Sequence, residues 1–138
     1  MMSKEDDGWR SDAALVAEFE RNQNNPCVGL QLLTENEHSR VWSLRLAPGQ
    51  RIGFHRHVLD YFWTSVTPGR AISRLEDGRT AERIYQVGDL TYERYGAGEY
   101  KVHDLENTGD TELAFITVEF LDSANRKIDL PPDVAPRN

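Results

Sequence analysis

The feature that most constrains this chain is a series of turn signals that begins after Pro26. Pro48-Gly49, Pro68-Gly69, Asp77-Gly78, Gly88-Asp89 and Asn107-Thr108-Gly109-Asp110 cut the sequence into short segments. Glycine and aspartate tolerate the positive φ of a tight turn, and proline presets the φ of its first corner. The segments between them carry strand patterns. Trp42, Leu44 and Leu46 alternate with Ser43, Arg45 and Ala47, the two-residue period of a half-buried strand. Tyr61 to Val66 is aromatic and β-branched, and Thr111 to Phe120 is the clearest strand of all. Short strands separated by turns about every ten residues specify an all-β sandwich or barrel.

Before Pro26 the pattern differs. Residues 1 to 10 read as a loose, acidic arm. Ser11 or Asp12 can cap a short helix through Ala13, Ala14, Leu15, Val16, Ala17 and Phe19, which Asn22 to Pro26 ends. The expected organisation is an arm and helix over 1–25, a barrel over 26–122 and a tail over 123–138. The tail carries Pro131, Pro132 and Pro136 and is expected to run over the surface or over a partner subunit. A length of 138 residues is one domain's worth.

Charge narrows the class of partner. Sixteen Lys and Arg stand against 23 Asp and Glu, a net charge of −7, with no visible basic face for nucleic acid. No apolar run approaches the roughly 20 residues of a membrane span, and no signal-like stretch opens the chain. The expectation is a cytoplasmic protein with a small-molecule partner. Cys27 is the only cysteine and falls in the apolar run Cys27 to Leu33, so it reads as a buried thiol rather than a nucleophile.

Three of the four histidines form a pattern. His55 and His57 are two apart, so a strand turns both to one face. Neighbouring imidazoles are costly when charged, but as neutral rings they can share a metal ion. His103, on a strand able to pair with the first, would complete a three-nitrogen face with open positions for water or substrate. A lone His-x-His is more often a solvated surface pair; the glycines around it carry the reading further. His38 has no such company and reads as a surface residue.

That punctuation resembles the cupin superfamily. Gly49, five residues, His55-Arg56-His57 and a later Gly69 resemble its first motif; Gly88-Asp89 through His103 and Asn107 resembles its second. Gly53 to His57 followed by Asp60-Tyr61 is similar to the small cupins described as beta-alanine-degradation proteins. The resemblance covers residues 41 to 120. It implies a cupin jelly-roll barrel (a double-stranded β-helix) with metal in its mouth, and a homodimer. Two departures stand out. The first motif's glutamate ligand would fall at 61 or 62, where Tyr61 and Phe62 stand, with Asp60 next door. Arg94-Tyr95-Gly96 replaces a Pro-x-Gly, and His103 comes about two residues late.

A three-histidine centre leaves a divalent charge uncompensated, which favours an anionic ligand gripping through two oxygens. With Fe(II), the first choice, the chemistry expected is that of a dioxygenase acting on a keto acid or diketone. With Zn(II), Ni(II) or Mn(II) it is Lewis-acid chemistry such as isomerisation. A non-catalytic binding or sensing module is the alternative. Tyr61 and Glu99 are the candidate catalytic residues; Tyr61 could hydrogen-bond substrate, and Glu99 could act as base or fourth ligand. Arg94 could meet a substrate carboxylate, though an ordinary surface arginine is the plainer reading. Trp42, Phe54, Phe62, Trp63, Phe115 and Phe120 are expected in the core.

Overall fold

The computed structural model describes residues 8–137. Nine strands follow one helix: β1 (Gln31–Glu35), β2 (Ser39–Leu46), β3 (Arg51–His57), β4 (Tyr61–Ser65), β5 (Gly69–Arg74), β6 (Thr80–Tyr85), β7 (Leu90–Glu93), β8 (Lys101–Asn107) and β9 (Leu113–Phe120). They form two antiparallel sheets, ordered β1-β2-β9-β4-β7 and β3-β8-β5-β6. The turns fall where the dipeptides placed them; Gly49 and Gly78 take φ of 83° and 93°, a region costly for residues with a Cβ. The arrangement is the expected jelly roll.

One end of the space between the sheets is solid. Leu44, Leu46, Ile52, Ala71, Tyr85, Leu113 and Phe115 pack there, with Trp63 against them. Asn107 latches that end: its side chain donates to the Leu46 and Thr111 carbonyls and accepts from the Gly109 N–H. The asparagine that closes the second motif is thus structural. The histidines line the interior towards the opposite end.

Helix α1 (Ala13–Arg21) is capped by Asp12, whose carboxylate accepts from the Ala14 and Leu15 N–H groups. It roofs the outer face of the four-stranded sheet, where Trp9, Phe19, Phe54 and Val102 form one buried cluster. Residues 8 to 10, read as part of a loose arm, are therefore docked: Trp9 is buried and its indole N–H donates to the Leu75 carbonyl. Residues 1 to 7 lie outside the described residues. Beneath the same roof Asp104, wholly buried, takes Arg51 at 2.7 Å, Arg74 at 2.8 Å and the Arg74 backbone N–H. A buried carboxylate survives only when so fully paired.

The tail returns over the molecule's own barrel. Leu130 and Val134 pack on Val28, Leu32 and Trp42, and the Arg137 N–H donates to the Leu32 carbonyl. Two further sequence expectations need correction. Phe62 and Phe120 are not core; they meet at 6.0 Å on the outer face of the five-stranded sheet, half-buried. Cys27 is half-buried rather than enclosed, although burial still pushes its thiol pKa up. Within its apolar run, Leu30 is exposed. Among the described residues, no helix is long and apolar enough to cross a membrane.

Candidate metal centre

The site begins with a fault in β3. Pairing with β8 joins Ile52 to Leu105 and His55 to His103, so β3 spends three residues where β8 spends two. The extra residue is a β-bulge. It turns Phe54 onto the roofed face, 4.9 Å from the Trp9 ring, and keeps Ile52, His55 and His57 all facing inward. Glu18 of α1 holds the bulge from outside. Its carboxylate accepts the Phe54 N–H at 3.0 Å and grips the Arg51 guanidinium through both oxygens. A Cβ on Gly53 would stand 3.0 Å from Glu18 Oε2, so glycine lets the carboxylate approach. From inside, His55 Nδ1 lies 2.8 Å from the Gly53 carbonyl.

His55, His57 and His103 come together as the sequence proposed. One ring nitrogen from each lies within 4.8 Å of the others. His103 is oriented from β5: Ser73 Oγ donates to the Asp104 carbonyl, so it accepts from His103 Nδ1 at 2.7 Å. That fixes the His103 lone pair on Nε2, and the Gly53 contact fixes that of His55 on its own Nε2. His57 Nε2 faces His103 Nε2 at 3.1 Å. Burial, first of all, drives His57 and His103 well below the ordinary imidazole pKa and His55 down to about 4; Lys101 adds to the effect on each. All three rings are neutral at physiological pH, the form in which imidazole ligates.

The donor set fits a divalent ion. Two nitrogens bound at about 2.1 Å to one ion, at angles of roughly 90–110°, stand about 3.0–3.4 Å apart. The 3.1 Å between the His57 and His103 Nε2 atoms falls in this range, and the third ring's nitrogen lies within 4.8 Å of both, so a bound ion would draw the third ring in. His57 Nδ1 is buried with no hydrogen-bond partner, so the protein supplies only part of what this ring requires. Ser73 and the Gly53 carbonyl are the outer contacts that orient ligating histidines.

The histidines line a cavity whose other walls include Leu44, Ile52, Trp63, Tyr85, Phe115 and Thr117. Its volume is about 80 Å³, room for only a few water-sized groups. Tyr61 takes the place of the motif glutamate. It is buried and stacks on His57 at 4.1 Å. Burial holds its phenol, and that of neighbouring Tyr95, far above the ordinary range, so Tyr61 offers a hydrogen-bond donor but no base.

The other candidates lie elsewhere. Glu99 is exposed and accepts the Gly96 N–H in a turn, outside the cavity lining. Asp60 accepts the Tyr95 N–H and closes a loop. Arg94 is exposed beside Tyr92. Two interior groups escaped the sequence reading. Lys101 lines the cavity two residues before His103, where strand periodicity alone placed it. Glu119 is buried on β9, opposite Tyr61 in register, and accepts the Trp42 indole N–H at 2.8 Å. Burial pushes its carboxyl up to about 7.

No family model matches the chain, and no curated protein matches it. Solved structures do. A cupin domain from Bordetella pertussis Tohama I is 25% identical, over 70% of this chain and 95% of that one, with a TM-score of 0.58. A double-stranded β-helix protein from Klebsiella pneumoniae is 23% identical over 78% and 90%, TM-score 0.54. An RmlC-like cupin from Methanocaldococcus jannaschii is 19% identical over 65% and 76%, TM-score 0.53. The fold is that of the cupin superfamily, with a three-histidine cluster in its interior.

Proposed function

We propose that this cupin holds one divalent metal ion on His55, His57 and His103 and converts a small, anionic, oxygen-rich molecule such as a keto acid or diketone. The observation that carries the reading is the cluster itself: three inward-facing neutral imidazoles, oriented by Ser73 and Gly53, in a small and largely apolar cavity. Fe(II) is the ion we favour, which would supply dioxygenase chemistry; Zn(II), Ni(II) or Mn(II) would supply Lewis-acid chemistry. The protein's own part is to exclude bulk water, to present a neutral donor face and to offer the Tyr61 hydroxyl to a bound oxygen. The likeness of Gly53 to His57 to the beta-alanine-degradation cupins is compatible with a small carboxylate substrate.

Oxygen uptake tests the catalytic reading. Fe(II)-loaded protein is offered acetylacetone, pyruvate and 2-oxoglutarate beside a His57→Ala variant. Uptake that depends on one of these compounds and is lost in the variant supports it. A loaded protein that binds these compounds without turnover, under any of the four ions, points to the alternative, a binding or sensing module. One observation favours that alternative: no carboxylate lines the cavity among the described residues, so no side-chain base is in place there.

The homodimer implied by the resemblance has a face to use. The outer side of the four-stranded sheet is roofed by α1, whereas that of the five-stranded sheet bears half-buried Phe62, Val118 and Phe120 beside exposed Leu90 and Tyr92. We propose a second copy of this chain on that face.

A further inference from the structure

We infer that Lys101 selects the substrate: the site takes a chelating acid that carries a second anionic group, of the 2-oxo or 2-hydroxy dicarboxylate class. This rests on the metal-site reading above and goes beyond it. Lys101 faces inward on β8 two residues before His103, and its Cα pairs with His57 across the sheet. Among the described residues it is the only Lys, Arg, Asp or Glu in the cavity wall. Its ammonium lies 5.5 Å from the centre of the Tyr61 ring, which itself stacks on His57, so the charge stands beside the histidine face.

The ammonium is held but not used up. It contacts Glu93 Oε1 at 3.2 Å, its only hydrogen bond among the described residues, and an ammonium has three donors. Glu93 is 39% exposed and stands on the edge strand β7, whereas the Lys101 side chain is 22% exposed. The pair therefore marks the open rim of the cavity. A divalent ion on three neutral rings together with one ammonium is an excess of positive charge, and Glu93 at the rim balances one unit. A dianion answers the remainder, with its chelating end inside and its second carboxylate at the rim. The interior alone suits a chelating end of few atoms.

The test uses Co(II)-loaded protein titrated with L-malate and with L-lactate, which share a 2-hydroxy acid end and differ in the second carboxylate. The parent is expected to bind malate more tightly by about tenfold or more, the worth of one charge-assisted contact. In Lys101→Met that preference collapses while Co(II) is still bound, and Lys101→Arg restores much of the preference. A parent that binds both acids equally, or a Lys101→Met variant that keeps the preference, overturns the inference while the metal site stands. A parent that takes up neither Co(II) nor any of Fe(II), Zn(II), Ni(II) and Mn(II) overturns the metal reading, and this inference falls with it.

Discussion

Ser73 is the residue on which the tautomer of His103 depends. Its hydroxyl is committed to the Asp104 carbonyl and so accepts from His103 Nδ1. Ser73→Ala removes that acceptor, and metal affinity should fall about 10- to 100-fold with the fold intact; competition with a chromophoric chelator measures it. Glu119 makes a pH prediction. Its carboxyl is raised from 4.5 to about 7, so between these values the folded chain keeps a proton that the unfolded chain has released. Its contribution is fully present below 4.5 and is lost as pH rises to about 7, a fall of roughly 3 kcal/mol. Glu119→Gln keeps an acceptor for Trp42 and should flatten that part of the pH–stability curve in urea unfolding. An unchanged slope would mean that Glu119 is ionised in the folded chain. At this scale the sequence was legible where periodicity spoke: His55 and His57 share a face as their spacing required, and His103 joins them because its strand pairs with theirs. Ser73 and Glu119 were invisible because no local pattern says which serine or glutamate the barrel will enclose.

At the scale of elements, the bulge in β3 and helix α1 act together. The bulge frees the Phe54 N–H, and Glu18, 36 residues earlier, accepts it while also binding Arg51. Glu18→Ala strands the Phe54 N–H and leaves Arg51 with Asp104 alone, at a half-buried site. It should cost about 2–3 kcal/mol and weaken metal binding, because the bulge sets the positions of His55 and His57. Thermal unfolding and metal titration of one variant check both effects; a loss of stability with unchanged affinity would detach the helix from the site. The turns and the helix cap were readable in Pro48-Gly49, Asp77-Gly78 and Asp12 because each is decided by its own backbone. The bulge was not, since it arises from pairing two strands distant in sequence and from a helix pressing on one of them. For the same reason Phe62 and Phe120 read as core while they lie on an outer face.

At the scale of the molecule, the two sheets are treated unequally, one roofed and one bare. If the bare face joins two copies, sedimentation of the parent gives a dimer. Leu90→Glu/Tyr92→Glu, at exposed positions, should then give a folded monomer; a parent that sediments as a monomer removes the proposed interface. The proposed function rests on an ion held by the three histidines. The most direct measurement is elemental analysis of untagged protein after incubation with Fe(II), Zn(II), Ni(II) or Mn(II) and desalting, beside His55→Ala/His57→Ala. The account predicts close to one ion per chain in the parent and none retained by the variant. A folded parent that retains none of the four, or a variant that retains as much as the parent, would contradict it.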